Sequence, residues 1–295
     1  MKIRYIYTML IALFAMAAAN AQQDPNYTFY RYNMNLINPA YAGAGEHTEV
    51  GLDVRSQWAN VQGAPETQSL FFGTPMGKNV GLGVSIINDK TFIESQVWLA
   101  LDFSYRLKIS EGTDLFLGIK AGVNSYKANT DGLITYGIQS DPSLMDIKGS
   151  FNPNIGTGIY LRSNAFFASL SAPKILSLDR LEDDNGLAKL RKDKVHLYAA
   201  AGYDFILSSD MILKPSAIVR YVDSAPISLN FTTALTLGER FEVGGAYRLN
   251  EGIGGFFIFK VSEWLNLGYA YESAFERPLT NLDNGTHEIL FNLKL

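Results

Sequence analysis

The sequence predicts an all-β protein: a transmembrane antiparallel β-barrel of about 14 strands, preceded by an N-terminal segment that is not part of the barrel. Three observations carry this. The chain opens with an export signal. From about residue 46 onward, apolar side chains recur at every second position over about fourteen stretches. The connections between these stretches alternate between short and long. Composition agrees with this class. Apolar residues make up 47% and charged residues only 18%, below the ~25% usual for a soluble domain. A mean hydropathy of +0.01 is too low for a helical membrane bundle and suits strands with one apolar and one polar face. The absence of cysteine excludes disulfides, thiolate metal sites and cysteine catalysis, and a net charge of −4 gives no footprint for nucleic acid.

The first element is a targeting segment, residues 1–21. Lys2 and Arg4 form a basic start, Ile6 to Ala18 is almost wholly apolar, and Ala19-Asn20-Ala21 is an A-x-A cleavage site. The other reading, a membrane anchor helix, lacks a basic stop-transfer flank. No cysteine follows the apolar run, so a lipoprotein is excluded. No other run reaches the ~18 apolar residues of a spanning helix.

Residues 46–295 alternate. Val97, Leu99, Leu101, Phe103 and Tyr105 oppose Gln96, Trp98, Ala100, Asp102 and Ser104. In 195–207, Leu197, Ala199, Ala201, Tyr203, Phe205 and Leu207 oppose His196, Tyr198, Ala200, Gly202, Asp204 and Ile206. Successive side chains of a strand point to opposite faces, so each stretch is a two-sided ribbon. The stretches are 46–57, 65–73, 79–88, 94–107, 113–126, 151–162, 165–172, 195–207, 211–222, 226–237, 240–249, 252–261, 264–272 and 286–295.

Short connections such as Ser163–Asn164 and Gly238–Glu239 alternate with long ones: Lys127–Ser150, Pro173–Lys194 and Ser273–Gly285. Outer-membrane barrels have short periplasmic turns and longer external loops, and an even strand count puts both ends of the barrel chain in the periplasm. A soluble sandwich would expose its polar faces to water. Here those faces carry recurring charges: Asp53, Arg55, Asp102, Arg106, Lys120, Asp204, Lys214, Arg220, Glu242, Arg248, Lys260 and Glu272, which pair readily across a wet lumen. Tyr105, Tyr203, Tyr221, Tyr247, Tyr269 and Tyr271 fall toward strand ends on the apolar faces, where girdle aromatics sit.

Enzymatic chemistry finds no support. His47, His196 and His287 lie in three separate strands without metal-ligand spacing, and no G-x-S-x-G elbow occurs. Gly81-Leu82-Gly83 and Gly252-Ile253-Gly254-Gly255 open no helix, so they read as packing positions rather than phosphate loops. No cofactor and no metal are expected.

Residues 22–45 form the N-terminal tail or plug segment, placed on the periplasmic side. They are aromatic and polar, do not alternate, and end in Ile37-Asn38-Pro39-Ala40-Tyr41-Ala42-Gly43. Asn38-Pro39 and Ala42-Gly43 are turn dipeptides. Tyr27, Phe29, Tyr30, Tyr32 and Tyr41 are costly to leave loose in water, so the segment is expected to dock in the barrel mouth and close the lumen. Beyond it come Arg55-Ser56-Gln57-Trp58 and Gly63-Ala64-Pro65-Glu66-Thr67-Gln68.

Together with the D-P-x-x-x-x-Y-x-x-N tract from Asp24 to Asn33, these boxes resemble the PorP/SprF family of Bacteroidota type IX secretion systems. The specific motifs cover residues 24–68, and Ala59-Asn60-Val61 departs from the family, which often has a glycine after Trp58. The resemblance implies a non-enzymatic outer-membrane component. Such a component serves protein secretion and gliding motility by linking to the secretion machinery or by binding and anchoring a secreted surface adhesin. Its partners would be the C-terminal domain of that adhesin, other secretion components and outer-membrane lipid. The alternative is a passive diffusion porin. Asn38, Pro39, Ala40, Tyr41, Ala42, Gly43, Arg55, Gln57, Trp58, Gly63, Pro65 and Thr67 are expected to be structural. Partner binding is expected on the external loops, at Tyr136, Ile138 and Leu144 in one and Ile175, Leu176, Leu178 and Leu181 in the other.

Overall fold

The computed structural model describes residues 25–129, 147–176, 194–223, 225–275 and 284–295. They form one antiparallel sheet of strands β1 (Glu49–Ser56), β2 (Glu66–Met76), β3 (Val80–Thr91), β4 (Glu94–Ser110), β5 (Thr113–Ala128), β6 (Ile147–Ser163), β7 (Phe166–Ala172), β8 (His196–Tyr203), β9 (Phe205–Ser208), β10 (Met211–Val222), β11 (Ser228–Leu237), β12 (Phe241–Arg248), β13 (Gly252–Ser262), β14 (Leu265–Ala274) and β15 (Thr286–Lys294). Segments β8 and β9 both pair with β10 and make one strand broken at Asp204. The sheet closes where β1 pairs with β15, and the barrel has 14 strands. Closure leaves no unpaired edge, which a lipid-facing sheet requires.

The period-2 pattern sets which face is which. In β4, Val97, Leu99, Leu101, Phe103 and Tyr105 are exposed on the outside, while Trp98, Ala100, Asp102 and Ser104 are buried inside. Tyr105, Tyr203, Tyr221, Tyr247 and Tyr271 are exposed on the outer surface. The alternation of burial stops at Asp204. Phe205, Ile206 and Leu207 are all exposed, so Ile206 is not buried although its pairing with Ile212 keeps it in the inward phase expected for it. The cause is position: Ile206 lies at the end of the strand next to the short-turn rim, and the register with β10 shifts only beyond it, between Ile206 and Ser208.

The connections at one rim are all short, at 77–79, 111–112, 164–165, 209–210, 238–240 and 263–264. The other rim carries the 57–65 loop and the stretches at 129–146, 173–195 and 275–285, but also short connections at 92–93, 223–227 and 249–251, so the long connections are confined to this rim without alternating regularly with short ones. Most of 129–146 and 173–195 lies outside the described residues, as does the export signal at 1–21.

The N-terminal segment does more than dock at the mouth: it threads the lumen. Pro25 and Asn26 lie toward the long-loop rim, beside Arg220 and Asn230. Gly43 lies at the short-turn rim, against Thr74 and Gly81. Between them come a turn closed by Tyr32 N to Phe29 O (2.8 Å), a one-turn helix α1 (Met34–Ile37) and a 3₁₀ turn at Pro39–Tyr41. Asn38 is extended because it precedes a proline, and this ends α1. The segment leaves the lumen at Ala44, and Thr48 pairs with Leu295 before β1 begins.

Candidate functional site

The lumen and the segment inside it form the site, in three levels from the long-loop rim to the short-turn rim. The first level is built on Arg55, which is fully buried. Its Nη1 lies 2.5 Å from Glu288 Oε2 and its Nη2 lies 2.6 Å from Glu272 Oε2. Glu288 also accepts the backbone N–H groups of Thr28 (2.9 Å) and Phe29 (3.1 Å). Thr28 Oγ1 donates to Glu272 at 2.6 Å. A buried charge is tolerable only when paired and hydrogen-bonded, and here the pairing also holds the start of the plug. Tyr27 joins Ser69 at 2.7 Å on the facing wall.

The middle level spreads the plug's polar side chains around the barrel. Asn33 donates to Asp53 at 2.8 Å, and Tyr30 donates to Ser216 at 2.8 Å. Arg31 pairs with Asp204, and Tyr32 donates to Glu242. Lys120 Nζ lies 2.8 Å from Asp102, and Asn35 reaches the same carboxylate at 3.4 Å. Phe29 packs edge-on against Phe256 at 5.7 Å, with Leu290 and Ala270 in the same cluster.

The third level is the Asn38–Gly43 box. Asn38 donates to Ser169 Oγ (2.7 Å) and to the Ile159 carbonyl (3.0 Å), and accepts from Ala40 N (2.9 Å). Ser104 Oγ donates to the Ala42 carbonyl at 2.6 Å, and Arg162 donates to the carbonyl of Ala44. Tyr41 packs edge-on against Tyr160 at 5.2 Å. The backbone comes this close because Gly118 and Gly158 face it: a Cβ at Gly118 would overlap Ala40, and one at Gly158 would overlap Asn38. Gly81 and Gly83 likewise face Ala42.

The second box lies at the opposite rim. Gln57 N donates to the Pro65 carbonyl at 2.9 Å, and Thr67 Oγ1 donates to Asp89 at 2.6 Å. Gly63 has φ +75° beside Phe92. Trp58 (φ 46°) and Asn60 (φ 74°) take left-handed conformations, which asparagine adopts more readily than most residues. The two boxes, neighbours in sequence, therefore stand at the two ends of one threaded segment, with Arg55 the link between them.

Of the expected partner-binding residues, Ile175 and Leu176 are described and exposed. Asn154 Oδ1 accepts from the backbone N–H of both at 2.9 Å, fixing the loop's first residues along β6. Tyr136, Ile138, Leu144, Leu178 and Leu181 lie outside the described residues. His196 is buried in the lumen, His47 is exposed at the short-turn rim, and His287 joins Tyr269 OH at 2.7 Å on the outer face. Among the described residues no group of His, Asp and Glu could hold a metal. At the short-turn rim, the hydrogen bond from Lys260 holds the exposed Glu263 below its usual carboxylate range.

Glu288, Asn33 and Asn35 were missed as site residues. Glu288 is hidden beside the apolar Ile289-Leu290-Phe291, although its two-residue phase with Leu290 gives its inward direction. The asparagines at 33, 35 and 38 were the available signal for a polar segment meeting a polar wall.

The plug leaves a space on each side. One, of about 560 Å³, opens toward the long loops and is lined by Pro25, Asn26, Tyr27, Trp58, Arg220 and Glu251. The other, of about 590 Å³, opens toward the short turns and is lined by Tyr32, His47, Glu242, Trp264 and Lys294.

A family model described as type IX secretion system membrane protein PorP/SprF matches residues 19–293. No curated protein sequence matches. Among solved structures, the fold is similar to the Ralstonia pickettii toluene transporter TbuX. The two are 12% identical, the match covers 88% of this chain and 92% of that one, and the TM-score is 0.51. The Acinetobacter baumannii outer membrane protein Omp33 matches at 14% identity over 86% of this chain and 99% of that one, with a TM-score of 0.46. At these identities the likeness to TbuX concerns the barrel alone.

Proposed function

The chain belongs to the PorP/SprF family of type IX secretion system membrane proteins, and from that premise we propose that it is a self-plugged outer-membrane anchor rather than a pore. The family and the barrel are of a non-enzymatic kind. In this reading the short turns face the periplasm and the long loops face outward. The partner is the C-terminal domain of a secreted surface protein, held at the long-loop face, in a role that serves secretion or gliding. The observation that carries the reading is the plug, which meets the wall from β1 to β15 through groups such as Asp53, Asp102, Ser169, Asp204, Thr232, Glu242 and Glu288. A diffusion porin gains nothing from such a closure, whereas an anchor needs a rigid and sealed barrel.

The loops begun by Ile175 and Leu176 and by Asn129 supply the apolar anchors and polar rim of a specific interface. Replacing residues 177–192 with a short Gly/Ser turn keeps Asn154 and its two backbone bonds. Heat-modifiable gel mobility should stay unchanged while co-purification of the surface protein collapses. An unchanged amount of bound partner would remove this loop from the interface.

A further inference from the structure

The outer wall near the long-loop rim differs from one side of the barrel to the other. At Leu197, Tyr221, Ile227, Leu249, Ile253 and Tyr271 the outward side chains are aliphatic or aromatic and exposed. On β3, β4 and β5 they end in polar groups, and the strand register arranges these in rows. Ile86, Leu99 and Val123 stand opposite one another in an apolar row. The next row toward the rim is Asn88, Val97 and Ser125, and the last is Lys90, Ser95 and Lys127. Directly opposed residues share a face and stand about 5 Å apart, so the two lysines are about 10 Å apart at their bases. Both are exposed, and neither has an ion-pair partner among the described residues. Glu66 lies opposite Lys90 on β2, and two lysines against one glutamate leave the row a charge of +1.

We propose that this outward face of β3–β5 binds the phosphate-bearing headgroup of a glycolipid in the outer leaflet. Lys90 and Lys127 close on one phosphate from two sides, each an ammonium on a flexible four-carbon stem. Ser95 between them donates to a phosphate or sugar oxygen, and Asn88 and Ser125 extend the donors one row toward the apolar band. Below them Ile86, Val97 and Leu99, all exposed, meet the acyl chains. Headgroup and chains of one lipid thus find matching levels of a single wall, with cations where anionic headgroups lie. The leaflet rests on the outward orientation of the long loops taken above, whereas the row itself is independent of it.

Purified full-length protein in detergent is mixed with diphosphoryl lipid A, and bound lipid is counted by native mass spectrometry. Dephosphorylated lipid A, phosphatidylglycerol and inorganic phosphate are the comparison probes. One diphosphoryl lipid A should stay bound and the dephosphorylated form should not. Lys90→Gln with Lys127→Gln should weaken binding about 30-fold, and Lys90→Arg with Lys127→Arg should preserve it. Both positions are exposed, so the urea midpoints of these variants should match that of the unaltered chain. For the unaltered chain, binding should fall as salt rises. Equal binding by the glutamine variant, equal retention of the dephosphorylated lipid, salt-independent binding, or binding of phosphate without lipid A overturns the proposal. A preference for phosphatidylglycerol overturns the glycolipid and counts against the outward orientation as well. Failure here, with partner capture still lost on replacing residues 177–192, sinks the lipid site alone and leaves the anchor standing.

Discussion

Gly43 offers a quantitative test of how tightly the plug is seated, because the barrel contains its own control. Gly43 has φ +64° and Gly77 has φ +68°, so alanine at either pays nearly the same backbone cost. That cost is about 1–2 kcal/mol for an L-residue in the left-handed region. The surroundings differ. A Cβ at Gly43 would lie 2.6 Å from the Thr74 carbonyl oxygen and 2.7 Å from Gly81 Cα, whereas at Gly77 nothing lies within 4 Å. Thr74 and Gly81 are fixed by the β2–β3 ladder, so the plug must move. Overpacking of this kind costs about 1–3 kcal/mol. Gly43→Ala should therefore lose about 2–5 kcal/mol and Gly77→Ala only about 1–2 kcal/mol. The assay is urea unfolding of the purified barrel, read by heat-modifiable gel mobility, with partner co-purification measured on the folded fraction. Partner binding should fall only in step with stability. Equal losses in the two variants would refute the close seating of the box. A fully stable Gly43 variant that had lost its partner would make the box a contact surface instead.

Glu288→Gln removes one of the two carboxylates on buried Arg55 and weakens the hold on Thr28 and Phe29. Glu272 remains at 2.6 Å, so the loss should sit at the low end of that for breaking a buried pair, about 3 kcal/mol, visible as a lower urea midpoint. Asn38→Ala gives up the bonds to Ser169 and Ile159 and the cap on Ala40, and should cost about 2–3 kcal/mol at ~1 kcal/mol each. A double-mutant cycle with Ser169→Ala should show a coupling of about 0.5–1.5 kcal/mol, and additivity of the two losses would mean that the 2.7 Å bond contributes nothing.

The barrel was legible because a two-residue period is a physical consequence of a strand with lipid on one side and a lumen on the other. Each expected stretch falls on an observed strand, down to the short 165–172 segment that becomes β7 (Phe166–Ala172). The same period does not predict burial at Ile206, which keeps its inward phase but lies next to the short-turn rim, where the lumen opens. The plug was legible in composition but not in path. Its turns and single helical turn have no period, and its position follows from wall groups spread over the whole barrel, from Asp53 for Asn33 to Ser169 for Asn38. Arg55 could be read as a lumen charge because Val54 flanks it in alternation. The period gives the inward direction of its partner Glu288 too, but nothing local to residue 288 marks a buried ion pair. The glycines at 81 and 83 read as strand packing positions, and only the threaded backbone reveals that they admit Ala42.

Residues 25–44 fill the lumen from the long-loop rim to the short-turn rim, and electrical conductance reads whether they seal it. Intact purified protein in a planar bilayer should show little steady current at any holding potential. Glu288→Gln, with its plug less firmly held, should add brief openings above that baseline. Large, stable, ohmic channels from the intact chain would show an open lumen and favour a diffusion pore.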